Sequence, residues 1–322
     1  MTETLRARAF VKSDELSWDA IAAESETGTF QHTRRFLSYH GDRFADASIV
    51  IEDASGKVQG VFPAAISASD RRVVVSHPGA TFGGLLTFPR QRPAEVEMIV
   101  NHIVDYYRGK GFGKIIYKSV PSFLQVTETA LDRYALYRLG ARLSRCDLWS
   151  VLRLNAPRHR TKGHKWSVNK AKKHEVQVIQ ADDDLAYGAF HDLLSVCLRE
   201  RHEGTPVHSC DELRMLRDRF PNAMQLWRAE SPLGELLAGT WVFRYSPNVW
   251  HTHYIASTEA GRDKGAVDLL LETVMSEASR QGVTRFSFGS STCGLNLSEG
   301  LFNFKASFGT GSVIHEFFEI DL

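Results

Sequence analysis

The sequence predicts an α/β fold built from two related units in tandem. One arrangement of strand, glycine-containing turn and strand occurs at residues 48–66 and again at residues 225–243. Each hairpin leads to a long helical segment that ends just before another strand, residues 98–107 in the first half and residues 267–278 in the second. A length of 322 residues also suits two domains of roughly 150 residues each.

Apolar spacing and end signals identify the two long helices. In the second helix, five apolar residues fall at i, i+3, i+4, i+7 and i+8 and therefore share one face: Val267, Leu270, Leu271, Val274 and Met275. Both helices end in a cation that is soon followed by glycine, Arg108 before Gly109 and Arg280 before Gly282, which is typical of a helix C-terminus. The two halves therefore follow the same plan.

The domain boundary is predicted near residues 155–157, where strand-like sequence gives way to a polar basic run. The first domain then spans residues 1–155 and the second spans residues 156–322. Hydrophobic residues make up 43% of the chain and charged residues 24%, which excludes disordered and fibrous proteins. No stretch approaches the ~18 apolar residues that span a bilayer, and the N-terminus lacks the apolar core of a signal peptide. We expect a cytoplasmic protein without a membrane span.

The charge balance bears on the kind of partner. The chain has 39 Lys and Arg against 38 Asp and Glu, a net charge of +1, so it offers nucleic acid little general attraction. Residues 158–174 nevertheless hold seven Lys or Arg, three His and no acidic residue. This basic run predicts contact with substrate phosphates, for instance through Lys170 and Lys173, or else a solvated helix face. Both interpretations stay open.

The cysteines indicate neither a disulfide framework nor a metal site. They form no CxxC pair and no His/Cys group at zinc-ligand spacing, and they stand at Cys146, Cys197, Cys210 and Cys293. His251 and His253, two apart on a predicted strand, project to one face and could serve as a proton acceptor near pH 7. No third metal ligand accompanies them, so no metal is expected, and a structural role for at least one of them remains open.

A strand over residues 249–257 runs into a glycine-containing loop, residues 261–266, before the second long helix. Such a loop can present backbone N–H groups and the positive end of the helix dipole to a pyrophosphate, or it can be an ordinary connection. Its segment Arg262-Asp263-Lys264-Gly265-Ala266 is similar to the R/Q-x-x-G-x-G/A pyrophosphate loop of GNAT-type acyl-CoA N-acyltransferases. Val267 departs from that pattern, because it occupies the last small position.

The larger pattern resembles the double-GNAT architecture of Fem-type peptidoglycan aminoacyltransferases and of the CelD-like acetyltransferases. Residues 165–173, 286–291 and 300–309 carry this resemblance, in addition to the duplication. It implies two tandem GNAT-like domains, each a mixed, mostly antiparallel sheet flanked by helices, with acyl-CoA bound by the second domain. It also implies that Lys305, which follows Phe302 and Phe304, lies in the active site.

The resemblance further implies which residues hold the donor. In GNAT folds the strand before the loop splays from its neighbour and pairs with the pantetheine amides. The donor-binding residues implied in this way are Tyr254, Ile255, Ala256 and Ser257 on the strand, and Arg262, Lys264, Gly265 and Ala266 in the loop. In the first domain, the loop at residues 76–85 contains His77, Gly83 and Gly84 and is either an acceptor-binding loop or a plain connection.

Together these features predict an acyl-CoA-dependent N-acyltransferase. Amide formation from a thioester requires a deprotonated amine and a group that stabilises the developing oxyanion. His253, His251 and Lys305 are the candidate catalytic residues. The acceptor is expected to be a small-molecule amine, an amino sugar or a nucleotide-linked amino sugar. The alternatives are an aminoacyl-tRNA-dependent Fem-type transferase acting on a cell-wall precursor and a non-catalytic protein with a GNAT fold. The oligomeric state is left open.

Overall fold

The computed structural model describes residues 5–202 and 204–322. The chain forms two compact units, Met1–Asp147 with Val313–Leu322 (unit 1) and Leu148–Ser312 (unit 2). This division differs from the predicted boundary between residues 155 and 156 in two ways. The strand-like sequence at residues 148–154 contributes to unit 2, and the last ten residues return to unit 1. A strand's own sequence does not reveal which neighbour it pairs with, which explains both differences.

Unit 1 contains β1 to β7, α1 to α4 and parts of two longer strands. The strands are β1 (Arg6–Ala9), β2 (Ile49–Glu52), β3 (Val58–Phe62), β4 (Ala65–Ile66), β5 (Val73–Val75), β6 (Leu86–Thr87), β7 (Lys114–Lys118) and β8 (Arg142–Arg153). The helices are α1 (Glu15–Glu24), α2 (Arg34–Leu37), α3 (Pro93–Gly109) and α4 (Leu131–Arg138). Short 3-10 turns lie at Lys12–Asp14, Phe30–His32, Ser38–Arg43 and Ser122–Leu124.

Over its described residues, unit 2 contains the helices α5 to α10 and the strands β9 to β15. The helices are α5 (Lys162–Lys173), α6 (Asp184–His202), α7 (Cys210–Arg219), α8 (Glu259–Asp263), α9 (Ala266–Arg280) and α10 (Glu299–Ala306). The strands are β9 (Gln177–Ala181), β10 (Met224–Glu230), β11 (Leu236–Ser246), β12 (Val249–Ser257), β13 (Arg285–Ser290), β14 (Thr292–Cys293) and β15 (Asn296–Leu297). The final strand, β16 (Gly311–Asp321), begins in unit 2 and ends in unit 1.

The two units repeat one topology, as the duplication predicts. The predicted hairpins are the antiparallel pairs β2–β3 and β10–β11. The predicted helices are α3 and α9, and each lies in the connection between two parallel strands, β5 and β7 in unit 1 and β12 and β13 in unit 2. The remaining pairs in both units are antiparallel, so each unit has the predicted mixed, mostly antiparallel sheet flanked by helices.

Each unit has its own apolar core beneath its long helix. The apolar face of α3 is buried through Val96, Ile99, Val100, Ile103, Val104 and Tyr107. The corresponding face of α9 buries Leu270, Leu271, Val274 and Met275, in agreement with the spacing in the sequence, and packs against Trp250 of β12 and Phe286 of β13. This packing fixes the start of α9 at the end of β12, where the site described below lies.

Candidate active site

The parallel strands β12 and β13 separate near their C-terminal ends. Their paired register covers only three residues, from Val249 opposite Arg285 to His251 opposite Ser287. Strand β12 then continues to Ser257 while it stays paired with β11 on its other side. Because a strand without a neighbour exposes backbone N–H and C=O groups, the end of β12 offers one edge to a ligand. The splayed strand pair expected from the GNAT resemblance is therefore present in unit 2.

A pocket of about 530 Å³ opens at this separated edge. Five of the predicted donor-binding residues line it: Ile255, Ala256, Ser257, Arg262 and Gly265. Tyr254, Lys264 and Ala266 are their neighbours in the chain. The apolar walls come from Leu194 and Leu198 of α6 and from Leu301 and Phe304 of α10. The pocket combines apolar walls with a strand edge and a helix start, which suits a long, flexible ligand that carries amide and phosphate groups.

Gly265 forms the tight turn that starts α9. Its φ of 73° lies in the left-handed region, and a Cβ built on it would lie 2.4 Å from the backbone oxygen of Ser167. Only glycine fits this position without displacing α5. The first N–H groups of α9 have no partners within the helix and carry the positive end of its dipole. Arg262 is exposed beside them and donates from Nη1 to the Ser257 carbonyl oxygen at 2.8 Å.

Lys305 is buried on α10, with 3% of its surface exposed. Its Nζ donates to the carbonyl oxygens of Gly289 at 3.1 Å and Ser290 at 2.5 Å, and burial lowers its pKa to about 8. His251 is buried next to this cluster and its Nδ1 lies 3.2 Å from Ser287 Oγ. Burial, followed by the nearby charge of Lys305, lowers the pKa of His251 to about 3. His251 is therefore a neutral imidazole close to a buried ammonium group.

His253 lies at a β-bulge in β12. Tyr254 pairs with Trp241 and Thr252 pairs with Val242, so His253 is the extra residue of β12. Its ring stacks on Phe243 with the centroids 4.3 Å apart. Burial, together with nearby His208 and His251, holds the pKa of His253 well below 6.5. His251 and His253 lie close together, since their ring centroids are 6.0 Å apart. Neither histidine has the pKa near 7 that is expected of a proton acceptor, because burial disfavours the charged imidazolium.

No sequence pattern indicates His208, which also reaches this cluster. It lies between α6 and α7, and its Nδ1 is 2.8 Å from the phenol oxygen of Tyr254. Its ring centroid is 5.3 Å from that of His253. Burial raises the pKa of Tyr254 to about 12, so the phenol stays protonated at neutral pH. His208 stands far from β12 in the sequence and belongs to no motif, so only the three-dimensional structure reveals it.

The basic run at residues 158–174 divides into an inner and an outer side. Arg158 and Arg160 approach Glu272 of α9, with N–O distances of 2.6 and 3.3 Å. Lys170 is half-buried, with Nζ 5.1 Å from the centre of the Trp166 ring, and Lys173 is exposed. The inner side therefore packs against α9, and phosphate contact by Lys170 and Lys173 on the outer side stays a prediction.

The predicted acceptor loop of unit 1, residues 76–85, is mostly buried. His77 is 6% exposed with φ of 50°, and the buried Lys118 donates from Nζ to its carbonyl oxygen at 2.9 Å and also to that of Ala80. A Cβ on Gly83 would lie 2.2 Å from the Ser76 oxygen. Gly84 has φ of 87°. These features serve the packing of the loop, and acceptor binding by His77, Gly83 and Gly84 stays a prediction.

The same loop fills the gap that corresponds to the splayed edge of unit 2. Beyond the parallel pair β5–β7, the Ser76 N–H donates to the Ile116 oxygen at 2.8 Å and Ser76 Oγ accepts from the Lys118 N–H at 2.7 Å. The Gly83 N–H then donates to the Lys118 oxygen at 3.2 Å. The chain itself therefore uses the backbone groups of unit 1 that a ligand would need.

Among the side chains that the structure describes, no group of three or more His, Cys, Asp or Glu residues could hold a metal ion. Among the helices that the structure describes, none is both long and apolar enough to cross a membrane.

Comparison with known proteins identifies the fold around this pocket. The family model described as an acetyltransferase (GNAT) domain matches residues 158–305, which include the pocket and all the candidate residues of unit 2. No curated protein matches the chain. Residues 158–305 of unit 2 are therefore similar to a GNAT acetyltransferase domain.

Solved structures extend the likeness to the whole chain. FemX matches with a TM-score of 0.69 at 13% identity, over 98% of this chain and 97% of that one. L-PGS from Bacillus licheniformis matches with a TM-score of 0.64 at 14% identity, over 96% and 92%. A tandem GNAT protein from the clavulanic acid biosynthesis pathway gives a TM-score of 0.50 at 14% identity, over 99% and 98%. At these identities the likeness concerns the fold alone, which is a tandem GNAT fold.

Proposed function

We propose that unit 2 binds acyl-CoA and transfers its acyl group to an amine. The observation that carries this proposal is the separated edge of β12, which opens into the pocket at the start of α9. The residues present suit CoA: the strand edge can pair with pantetheine amides, the apolar walls can enclose the arm, and the start of α9 with Arg262 can hold a pyrophosphate.

The candidate catalytic residues have the properties that this reaction needs. The amine nitrogen attacks the thioester carbon, the carbon–sulfur bond breaks, and the amine loses a proton while the sulfur leaves as a thiolate that is protonated. His253 is neutral at pH 7 and only partly buried, so it can accept the amine proton. Lys305 has a pKa of about 8 and is charged at pH 7, so it can stabilise negative charge on the carbonyl oxygen.

The acceptor we propose is a small-molecule amine, in particular an amino sugar or a nucleotide-linked amino sugar. The support is the outer side of α5, where Lys173 is exposed and Lys170 half-buried. Cations clustered on one helix suit the diphosphate of a nucleotide-linked sugar. His77, Gly83 and Gly84 remain the acceptor-side candidates in unit 1.

The test of the proposed function combines binding and turnover. Calorimetry with CoA measures donor binding directly, and mass spectrometry of the protein incubated with a panel of acyl-CoAs and amines identifies the product. We expect CoA to bind at one site per chain, because the corresponding edge in unit 1 is filled by residues 76–83. CoA binding without any acylated amine would instead favour a non-catalytic GNAT-fold protein, and the absence of CoA binding would contradict the proposal.

An aminoacyl-tRNA donor is the second candidate function. Trp166 on α5 is 65% exposed and has lysines on both sides, and an exposed aromatic ring among cations can stack on a nucleotide base. The Fem-type enzymes that the sequence resembles use this donor, and FemX has the same fold. The net charge of +1 offers little general attraction to RNA, which is why we place acyl-CoA first. A turnover assay with aminoacyl-tRNA as the donor, run beside the assay with acyl-CoA, decides between the two donors.

Charge reversal on α5 tests whether its outer side contacts substrate phosphates. We expect the double variant Lys170→Glu and Lys173→Glu to raise the KM for a phosphate-bearing substrate, most strongly at low salt, because surface charges are screened as ionic strength rises. The matched control reverses two exposed lysines of unit 1, Lys57→Glu and Lys110→Glu, and changes the net charge equally. Equal kinetics for both double variants would show that this side of α5 is only solvated.

Replacement of Lys305 by methionine tests its catalytic role. We expect kcat to fall about 10²–10³-fold, as when one oxyanion-stabilising donor is lost. The difference from the unsubstituted protein should narrow above pH 8, because the pKa of Lys305 is about 8 and its charge is present only below that value. Lys118→Met is the control, since Lys118 is also a buried lysine whose Nζ donates to two carbonyl oxygens. A similar fall in kcat for both variants, at saturating acceptor, would indicate a structural loss instead.

A further inference from the structure

Helix α9, which begins at the pocket, is joined to helix α5 through one buried histidine. The His164 side chain is fully buried; its Nδ1 lies 2.6 Å from Asp268 Oδ1 and its Nε2 lies 2.7 Å from Glu272 Oε1. Asp268 and Glu272 are one helical turn apart on α9, so a single imidazole ring bridges both carboxylates. None of these three residues is among the candidate catalytic or binding residues described above.

Two neighbouring contacts complete this bridge. Ser167 Oγ donates to Asp268 Oδ2 at 2.7 Å, and Arg158 Nη2 donates to Glu272 Oε2 at 2.6 Å. A neutral imidazole has one N–H donor, whereas an imidazolium has two. Because each ring nitrogen faces a carboxylate oxygen, the bridge is fully hydrogen-bonded only when His164 carries both protons. If His164 loses one proton, the lone pair of the deprotonated ring nitrogen faces a buried carboxylate and repels it.

The bridge ends in the donor pocket. Asp268 lies in the first turn of α9 and lines the pocket together with Gly265. The residue that holds the other oxygen of Asp268 is Ser167, whose backbone oxygen also lies against Gly265. Any movement of α5 away from α9 would therefore move the helix start on which a pyrophosphate would rest.

We propose that His164 is a positioning residue for the acyl donor: as an imidazolium it holds the first turn of α9 against α5 and keeps the pocket in its donor-binding geometry. This inference rests on the proposed function, in which the pocket binds acyl-CoA. His164 does not touch the donor and acts through Asp268. Donor affinity should therefore depend on the protonation of a residue outside the reaction centre.

The direction of the pH dependence follows from the groups around His164. Burial lowers its pKa, but the hydrogen bonds and charges of Asp268 and Glu272 outweigh burial, so the pKa of His164 is raised above 6.5. Arg158 and Arg160 face Glu272 from the segment before α5, and the Phe308 ring packs 4.2 Å from the imidazole. A raised pKa means that the bridge is intact at lower pH and weakens as pH rises through the raised value.

The first test uses the protein without substitution. We expect the Kd for CoA, measured by calorimetry between pH 6 and pH 9, to increase as His164 loses its proton. Because linkage is reciprocal, saturating CoA should raise the pKa of His164, which NMR titration of the imidazole signal measures. CoA binding with a pH-independent Kd and an unmoved His164 titration would overturn this inference alone. If CoA does not bind at all, the proposed function fails, and the inference fails with it.

The second test separates positioning from catalysis. We expect His164→Gln to raise the KM for the acyl donor by roughly 5–150-fold, the usual range of coupling between sites, and to remove its dependence on pH while kcat at saturating donor is retained. Ser167→Ala, which keeps the imidazole, should raise the KM less and retain the pH dependence. His174→Gln, an exposed histidine at the end of α5, is the matched control. A fall in kcat with unchanged donor KM in His164→Gln would overturn the positioning role.

Discussion

Replacing Gly265 by leucine is expected to abolish CoA binding. The residue has φ of 73°, which costs a non-glycine residue about 1–2 kcal/mol, and its Cβ would lie 2.4 Å from the backbone oxygen of Ser167. The backbone must therefore shift, and α9 and α5 must separate at the point where the donor pyrophosphate is expected to rest. Calorimetry with CoA measures the effect, and circular dichroism verifies that the variant is folded.

A second glycine provides the control for this substitution. Gly282 follows α9 at its other end and has φ of 83°, but no atom lies within 4 Å of the position of its Cβ. Gly282→Leu therefore introduces the same backbone strain without the steric clash and should bind CoA normally. Gly265→Ala, a milder change, should weaken CoA binding even if the leucine variant does not fold. If both Gly265 variants bind CoA with unchanged affinity, the loop around Gly265 does not hold the donor pyrophosphate.

Local sequence patterns were sufficient to predict the repeated part of the fold. The apolar spacing of residues 267–278 is a property of consecutive residues, and α9 extends from Ala266 to Arg280 with that face buried. The turn residues that predicted the two hairpins are likewise local. Because both signals occur twice in the same order, the duplication is visible without knowledge of any long-range contact.

Partners that are distant in sequence could not be predicted in this way. β16 pairs with β7, and the second half of β8 pairs with β13, and each pairing joins segments that are far apart in the sequence. A strand's alternation shows which of its faces is buried but not which strand lies beside it. The predicted division at residue 155 follows composition, whereas the two units of the structure follow these pairings.

The candidate site shows the same limit. The loop around Gly265 could be identified because strand, glycine and helix are consecutive. The bulge at His253 depends on a register shift between β11 and β12, and the bridge through His164 depends on Asp268 and Glu272 of another helix. Asp268 and Glu272, four residues apart on the predicted helix, were the local signal for this bridge. They indicate that this face of α9 meets cations rather than core.

Replacement of His253 by asparagine is expected to reduce turnover by about 10²–10⁴-fold, the usual cost of losing a general base. The pKa of His253 lies well below 6.5 because the residue is largely buried and close to two other histidines, so the imidazole is neutral throughout the range from pH 6.5 to pH 9. Turnover of the unsubstituted protein should therefore show no loss from protonation of His253 in that range. In the variant, turnover should recover partly at high pH, where more of the amine acceptor is already deprotonated.

The comparison that decides the role of His253 is the full pH profile of kcat with a defined amine. His102→Asn, a half-exposed histidine on α3 of unit 1, is the matched control and should leave the profile unchanged. His251→Asn separates the two neighbours, because His251 has a pKa of about 3 and lies beside the charged Lys305. His253→Asn could keep normal turnover and an unaltered pH profile, while His251→Asn shows reduced turnover and a changed pH profile. That result would make His251 the proton acceptor and would leave the His253 imidazole only a packing role against Phe243.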